Sequence, residues 1–234
     1  YNHQRFADIS MKKATPSSTV SAGTTPPIES QETTHLSVVD PNGNAVSITT
    51  TLNSSFGSKV LVEGAGFFLN NEMDDFSSKP GVPNQFGLIG GDANAIAPHK
   101  RMLSSMTPTI VTKNGKLKMV VGTPGGSTII TSVYQTLLNV IDFGMGMQEA
   151  VNAKKVHHQW YPDEIRVETN ALAQPTIDQL QAMGHSITPT DKLGRMDCIL
   201  ILPDGRLEGG ADPRGDNTAL GFWLLKTLLM NDIL

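Results

Sequence analysis

Two β-hairpins are the features of this sequence that most constrain its fold. In the first, "HLSVV" and "AVSITTTL" flank the turn sequence "DPNGN" at residues 40–44. In the second, "TPTIVTK" and "LKMVVGT" flank "NGK" at residues 114–116. Asn-Gly pairs favour the positive φ angles of tight hairpin turns, so we expect Asn42 and Gly43 to supply them in the first turn.

Helical and further strand patterns surround the second hairpin. "STIITSVYQTLLNVIDFG" predicts a helix of roughly 15 residues, with apolar side chains at helical spacing at Ile129, Val133, Leu137, Val140 and Ile141. "MQEAVNAKKV" and "PTIDQLQAMG" predict two more helices, and "EIRVET", "CILIL" and "RLEGGA" predict strands. Paired hairpins with helices outside them predict an α/β fold in which stacked sheets lie between helical layers.

Charge and cysteine content exclude several classes of protein. The 234 residues carry 18 Lys and Arg against 22 Asp and Glu, which makes nucleic acid a poor partner. The single cysteine, Cys198, can form no internal disulfide and fits no metal-ligand spacing, so we expect it to be buried in a strand. His157 and His158 are adjacent and would point in different directions on a regular element, which favours packing or surface roles over a metal site.

A change in composition separates the first residues from the rest. Residues 1–14 resemble the end of a helix, and residues 15–31, "TPSSTVSAGTTPPIESQ", are typical of a linker and of a cleavage site. The chain begins without Met or a signal peptide, which suggests a piece of a longer precursor. "TTH" follows directly, and cleavage in front of a threonine would give it a free α-amine with a pKa of about 8, able to activate its own hydroxyl.

A glycine pair lies between a strand and a helix in "TPGGS" (residues 123–127). Glycines at such a place let backbone N–H groups converge on an anion, and the helix dipole assists them. This is what an oxyanion hole requires, although a tight strand-to-helix turn would use the same residues.

Several long motifs, taken together, resemble one family. From about residue 28 to 215 the chain is similar to the C-terminal half, or small subunit, of bacterial γ-glutamyltranspeptidases. The resemblance rests on "TTHLSVVDPNGNAVSITTTLN", "LNNEMDDFSSKPGVPN", "GLIGGDANA", "KRMLSSMTPTIV", "GTPGGSTIITSV", "HHQWYPDEIRVE" and "GGADPR". It implies a four-layer α/β/β/α sandwich of the N-terminal nucleophile hydrolase type, made from a precursor that cuts itself into two associated subunits. Residues 1–32 would then end the large-subunit region, and residues 33–234 would form the catalytic small subunit.

The resemblance also implies the catalytic residues. Cleavage would separate Glu32 from Thr33, and Thr33 would be the nucleophile in both processing and turnover. Thr51 would hydrogen-bond to the nucleophilic oxygen, and the N–H groups of Gly125 and Gly126 would face the oxyanion. The expected activities are glutathione hydrolysis and transfer of the γ-glutamyl group to amino acids or dipeptides.

Donor recognition follows from the same resemblance. Asn53, Glu72 and Asp75 would bind the α-ammonium of the γ-glutamyl group, and Ser104 and Ser105 its α-carboxylate. An arginine on the large subunit would complete the carboxylate site. The resemblance implies neither a metal nor an organic cofactor, and it favours a periplasmic or secreted location.

Some positions depart from the family or keep alternatives open. The long region 70–101 is expected to form a lid, with Phe86 where relatives often have tyrosine. His35 would share the strand face of Thr33 at a distance of about 6 to 7 Å, too far for direct proton transfer, so we expect a structural role. The apolar tail 217–234 matches no motif of the family. Two alternatives remain: a glutaryl acylase of the same fold, which would not need Glu72 and Asp75, and a piece that is non-catalytic without its large subunit.

Overall fold

The fold centres on a four-stranded antiparallel sheet. The computed structural model describes residues 9–20, 33–82 and 90–222. The strands are β1 (Thr33–Val39), β2 (Ala45–Thr51), β3 (Leu61–Val62), β4 (Phe67–Phe68), β5 (Thr109–Lys113), β6 (Lys116–Val121), β7 (Val156–His157), β8 (Ile165–Glu168), β9 (Ile187–Thr190), β10 (Asp197–Ile201) and β11 (Leu207–Ala211). The helices are α1 (Ile129–Ile141), α2 (Met147–Asn152) and α3 (Gln174–Ala182). None of the helices in the described part of the chain is long and apolar enough to cross a membrane.

The described strands form stacked layers with helices packed against the central sheet, as predicted. The central sheet has the order β11-β10-β6-β5, and its apolar face packs against α1 and α2. The β1–β2 hairpin contacts β5, β6 and β10. A third sheet pairs β7 antiparallel and β9 parallel with β8. The core between the central sheet and the helices includes Met119, Val121, Ile129, Val133, Val140, Met147, Val151, Cys198 and Leu200.

Both predicted hairpins are confirmed, but one turn differs from the prediction. The β5–β6 turn places Asn114 and Gly115 at φ 53° and 75°, as an Asn-Gly hairpin turn requires. In the β1–β2 turn Gly43 alone is left-handed, at φ 83°, so the expectation for Asn42 was wrong. Pro41 starts this turn, Gly43 N–H donates to the Asp40 carbonyl, and the Asp40 carboxylate accepts the N–H of Asn42 and Asn44. Proline at this position favours a type I turn, which explains the difference.

The expected helix after the glycine pair is confirmed, whereas the helical expectation for residues 9–14 was wrong. The helix after the glycine pair is 13 residues long and is preceded by one 3-10 turn at Gly126–Thr128. Ile141, one of the apolar residues at helical spacing, is the last residue of the helix and is 60% exposed. Residues 9–14 are not helical, and the Ser10 hydroxyl instead accepts the N–H groups of Lys12 and Lys13.

Candidate active site

Thr33 and Thr51 lie opposite each other at the open end of the β1–β2 hairpin. The register pairs them directly, so their side chains share one face of the hairpin. Both are half-buried on the face turned toward the central sheet. The strands therefore hold the expected nucleophile beside its expected hydroxyl partner. Glu32, on the other side of the expected cleavage point, lies outside the described residues.

The inward face of this hairpin is polar. His35 is buried, its Nδ1 lies 2.8 Å from Thr49 Oγ1 and its Nε2 lies 3.0 Å from Ser37 Oγ. Ser37 Oγ donates to the carbonyl of Asp197 on β10. Burial lowers the pKa of His35 to about 4, so its ring is neutral, and both of its nitrogens are hydrogen-bonded within the hairpin. These surroundings support the structural role expected of His35.

The chain after Thr51 leads directly into the expected ammonium site. Thr51 Oγ1 accepts the N–H of Asn53 at 2.9 Å, and Asn53 is 1% exposed with φ 73°. Asn53 Nδ2 donates to the carbonyl of Asn71 at 3.1 Å, and the Asn71 side chain binds Ser54 in return. These bonds fix the loop after β2 against the start of the acidic turn.

The acidic turn Glu72–Asp75 places two carboxylates in a partly dry environment. Burial raises the pKa of Glu72 to about 7, and the charge of Asp75 adds to the effect. Both carboxylate oxygens of Glu72 are buried and have no hydrogen-bond partner among the described residues. Burial also raises the pKa of Asp75, although the hydrogen bond from Ser105 opposes that shift. Such a pair is well suited to bind a cation, because an ammonium would restore the hydrogen bonds that burial removed.

The two expected serines occupy different environments. Ser105 is buried and its Oγ donates to Asp75 Oδ2 at 3.0 Å, which connects it to the acidic turn. Ser104 is exposed and its Oγ donates to the carbonyl of Met106. The structure thus brings Ser105 into the acidic network and leaves Ser104 at its edge. Phe86, the expected lid residue, lies outside the described residues.

The Gly125–Gly126 turn has a backbone that disfavours any other residue. Gly125 has φ 143° and Gly126 has φ 59°. A Cβ on Gly125 would lie 2.7 Å from Thr128 Oγ1 and 3.2 Å from the Cα of Gly194. Thr128 Oγ1 donates to the Gly125 carbonyl, and the N–H groups of Gly125 and Gly126 donate to no acceptor in the described part of the chain. The turn therefore presents two N–H groups that are able to bind an anion.

A cavity of about 480 Å³ joins the expected nucleophile to this turn. Thr33, Pro124, Gly125 and Thr128 line it on one side. Its remaining wall comes from β8, from the segment 190–195 and from Arg214, and its cations are Arg166, Lys192, Arg195 and Arg214. Sequence reasoning did not find this basic wall, because three separate stretches of chain supply its cations.

A buried cluster of charges supports the segment 193–196. Glu168 is 1% exposed and accepts hydrogen bonds from Arg214 Nε, from Arg214 Nη2 and from the N–H groups of Lys155 and Leu193. Asp212 accepts Arg214 Nη1 and the N–H of Met196. Burial alone would raise the pKa of Glu168, but the hydrogen bonds from Arg214 and from the two backbone groups hold it below its usual value. The motif "GGADPR" supplied two of these residues, yet it gave no sign of their partners.

The adjacent histidines His157 and His158 and the cysteine Cys198 have structural surroundings. His157 is buried between the Thr131 hydroxyl and the Gln159 amide, and His158 Nε2 lies 3.4 Å from Asp163. Cys198 is buried in β10 and burial raises its pKa to about 12, which confirms the expected core position. Within residues 9–20, 33–82 and 90–222, no group of three or more His, Cys, Asp or Glu side chains could hold a metal ion.

Known proteins are similar to this chain in sequence and in fold. The model of the γ-glutamyltranspeptidase family matches residues 1–222. The glutathione hydrolase proenzyme of Escherichia coli K12 is 51% identical over 215 residues, which are 92% of this chain and 37% of the relative. The chain thus spans little more than a third of the length of that relative.

Solved structures agree with this assignment. The crystal structure of a mutant γ-glutamyltranspeptidase from Helicobacter pylori is 54% identical with a TM-score of 0.75, and the match covers 78% of this chain and 100% of that one. A cephalosporin acylase from Bacillus halodurans is 30% identical with a TM-score of 0.65, covering 79% of this chain and 33% of that one. These structures confirm the predicted α/β/β/α fold of the N-terminal nucleophile hydrolase type. The motifs, the fold and the match along residues 1–222 lead to one conclusion: the chain belongs to the γ-glutamyltranspeptidase family.

Proposed function

We propose that the protein containing this chain is a γ-glutamyltransferase and glutathione hydrolase whose nucleophile is Thr33. The observation that carries the proposal is the cavity that Thr33 shares with Gly125. Beside it, Thr51 connects Thr33 through Asn53 and Asn71 to the acidic turn. The nucleophile thus lies between an anion-binding turn and a site for a cation.

The precursor becomes active by cutting the bond before Thr33. The Thr33 hydroxyl attacks the Glu32 carbonyl carbon, and the acyl group moves from nitrogen to oxygen to give an ester. Water then hydrolyses the ester, which releases the Glu32 carboxylate and leaves Thr33 with a free α-amine. This amine, with a pKa of about 8, serves as the base that the hydroxyl lacked before cleavage.

Turnover uses the same oxygen on a γ-glutamyl amide. Thr33 Oγ1 attacks the amide carbon while its own α-amine takes the hydroxyl proton, and Thr51 supports the polarised oxygen. The Gly125 and Gly126 N–H groups stabilise the oxyanion, a contribution of about 3 kcal/mol for one donor. Collapse of the intermediate breaks the C–N bond, and the leaving amine takes up the proton. Water resolves the γ-glutamyl ester to glutamate, and an acceptor amine resolves it to a new γ-glutamyl amide.

The acidic turn favours a γ-glutamyl donor over a glutaryl one. A γ-glutamyl group carries an α-ammonium, and Glu72, Asp75 and Asn53 offer oxygens to it. A glutaryl group has no ammonium, so it would leave these carboxylates without the cation that their buried position favours. Similarity to a cephalosporin acylase therefore indicates a common fold, and the acidic turn distinguishes the substrates. Ser105 and Ser104 bind the donor carboxylate together with an arginine of the large subunit.

The large subunit of the same precursor is the expected partner. The relatives are proenzymes, and this chain covers only part of their length. The outward face of the β1–β2 hairpin is apolar and exposed, with Leu36 at 54%, Val38 at 43%, Val46 at 51% and Ile48 at 49%. Such a face is typical of a surface that another chain or segment covers. We further propose a periplasmic or secreted location, on the basis of family resemblance.

The intact mass of the complete precursor tests this function. After incubation at neutral pH, we expect the wild-type precursor to separate into two chains at Glu32–Thr33 and then to hydrolyse a γ-glutamyl anilide. Thr33→Ala should abolish both events, whereas Thr33→Ser keeps a hydroxyl and should still cleave. A wild-type precursor that stays whole and releases no anilide would overturn the proposal in favour of a non-catalytic role.

A further inference from the structure

The cavity beside Thr33 is strongly basic, although the chain as a whole is acidic. Four cationic side chains line it, Arg166, Lys192, Arg195 and Arg214, against one carboxylate, that of Asp191. The net charge of the full sequence is −4. A concentration of cations against the overall charge, next to a reacting atom, indicates a site for an anionic part of a ligand.

One of the four cations is already neutralised. Arg214 forms ion pairs with Glu168 and Asp212, and its side chain is 7% exposed. It therefore acts as part of the wall, and its charge is balanced inside the protein. The charge available to a ligand has to come from the other three.

Those three cations make only long direct contacts in the described part of the chain, and the Asp197 carboxylate balances part of the Arg195 charge. Arg166 donates to the Thr190 hydroxyl at 3.2 Å, and Lys192 donates to the Arg214 carbonyl at 3.4 Å. Arg195 lies 4.0 Å from Asp216, and both of these side chains are solvent-exposed. An exposed ion pair of this length contributes about 1 kcal/mol or less. A carboxylate entering the cavity would find these hydrogen-bond donors available.

The cavity lies apart from the residues expected to hold the γ-glutamyl group. Asn53, Glu72, Asp75 and Ser105 belong to the network after β2, and none of them lines the cavity. Thr33 is shared by both regions. With the reacting carbon at Thr33 and the glutamyl part in the acidic network, the cavity receives the part of the substrate beyond the scissile nitrogen.

We propose that Arg166, Lys192 and Arg195 form a subsite for the terminal carboxylate of a peptide attached through its amine to the γ-glutamyl group. This inference rests on the proposed function. An extended dipeptide spans about 7 Å, and the cavity volume lies within the usual range for small-ligand sites of about 300 to 1,000 Å³. An acceptor amine attacks the ester from the place that the leaving amine occupied, so leaving peptide and acceptor peptide share the subsite.

The test compares substrates with and without that carboxylate. Complete, self-processed enzyme is assayed with glutathione, with glutathione amidated at its glycine carboxylate, and with a γ-glutamyl anilide. For Arg166→Gln and Lys192→Gln we expect the ratio of kcat/KM for glutathione to that for its amide to fall about 5- to 10-fold, as for loss of one partly exposed charged hydrogen bond. Turnover of the anilide should change less than twofold. In a parallel transfer assay, glycylglycine and its amide are compared as acceptors. This assay tests the subsite with an acceptor peptide, separately from the leaving peptide.

Controls make the result decisive. Lys192 is exposed, so Lys192→Gln should fold even if Arg166→Gln does not. Lys116→Gln, on the exposed turn of the second hairpin, removes an equal charge away from the cavity and should leave the ratio unchanged. An unchanged ratio in both cavity variants would overturn the subsite, and so would an equal loss with all three substrates. Absence of anilide turnover in the wild type would instead overturn the proposed function, and this inference with it.

Discussion

Glu72 lies in an environment that disfavours the charged form of its side chain. Its carboxylate is buried without a hydrogen-bond partner among the described residues, and its pKa is raised to about 7. Between the unperturbed value near 4.5 and 7, the folded protein holds a proton that the unfolded chain has lost. Stability therefore falls as pH rises through this window.

Glu72→Gln should remove this pH dependence. A neutral amide neither gains nor loses a proton, so the melting temperature of the variant should rise relative to wild type as pH increases from 5 to 8. Thermal unfolding at several pH values, with and without glutamate, measures the effect. Glutamate should reduce the difference, because its ammonium stabilises the ionised carboxylate of the wild type. A constant difference across this range would contradict a raised pKa.

Residue-scale expectations came mainly from the family resemblance. The structure places Thr33, Thr51, Asn53, Glu72, Asp75 and Ser105 in connected positions, and their catalytic and binding roles remain predictions. Arg166, Lys192 and Arg195 were missed as a group, because no local pattern links Arg166 on β8 to Lys192 and Arg195 in the loop before β10. Their proximity exists only in the folded chain.

Among the elements, the β1–β2 hairpin depends on one close contact with the central sheet. The ring of His35 packs directly on Gly122, at the end of β6, and a Cβ on Gly122 would overlap the ring. The ring cannot easily move, because both of its nitrogens are hydrogen-bonded. The position of the hairpin, and of Thr33 with it, therefore requires glycine at 122.

Gly122→Ala should displace the hairpin. We expect a loss of about 1 to 3 kcal/mol in the free energy of unfolding, the usual effect of overpacking, together with slower self-cleavage. Chemical denaturation and the rate of precursor cleavage measure the two effects. Gly221→Ala, where a Cβ would meet no atom within 4 Å, is the matched control. Equal behaviour of the two variants would show that the contact does not position the hairpin.

The buried cluster of Glu168, Asp212 and Arg214 should hold the segment 193–196 in place, as His35 and Gly122 hold the hairpin. Glu168→Gln leaves the Arg214 charge poorly compensated inside the protein, and breaking such a pair costs about 3 to 5 kcal/mol. Urea denaturation should show this loss, whereas Glu149→Gln on the exposed side of α2 should be nearly neutral. Because the pKa of Glu168 is depressed, its stabilising contribution is present above the unfolded pKa and disappears at acid pH. A loss below 1 kcal/mol would contradict the role of the cluster.

The elements that sequence predicted are those with long, regular patterns. Both hairpins, the helix after the glycine pair and the strands β8, β10 and β11 are confirmed. The strands β3, β4 and β7 are two residues each, too short to show an alternating pattern. β9 contains Pro189 and pairs in parallel with β8, so its assignment depended on a partner more than 20 residues away.

On the scale of the whole molecule, the outward face of the β1–β2 hairpin is the surface that we expect the large subunit to cover. Leu36 pairs with Ile48 and Val38 pairs with Val46, so four apolar side chains form one continuous exposed surface. Within the described residues the fold has three layers: the helices α1 and α2, the central sheet and the β1–β2 hairpin. A further layer over the outward hairpin face would complete the four-layer sandwich.

Leu36→Asp combined with Ile48→Asp should prevent that completion. We expect this chain, expressed alone, to become more soluble, while the complete precursor loses self-cleavage and activity because charged side chains cannot be buried against the large subunit. Sedimentation of the isolated chain and the yield of cleaved precursor give the two measurements. Phe143→Asp, at a position 71% exposed and away from the hairpin, is the control. Normal cleavage in the double variant would exclude this face as the subunit contact.

The alternation of the β1–β2 hairpin also limits how this protein can evolve. Within β1, Thr33, His35 and Ser37 face the central sheet, and Leu36 and Val38 face outward, so the proposed nucleophile and the proposed subunit contact occupy alternate positions of the same seven residues. Inserting or deleting one residue would exchange the two faces and abolish both roles at once. As this gene evolves, insertions and deletions should therefore occur in the turn at residues 40–44 and be absent from the strands on either side.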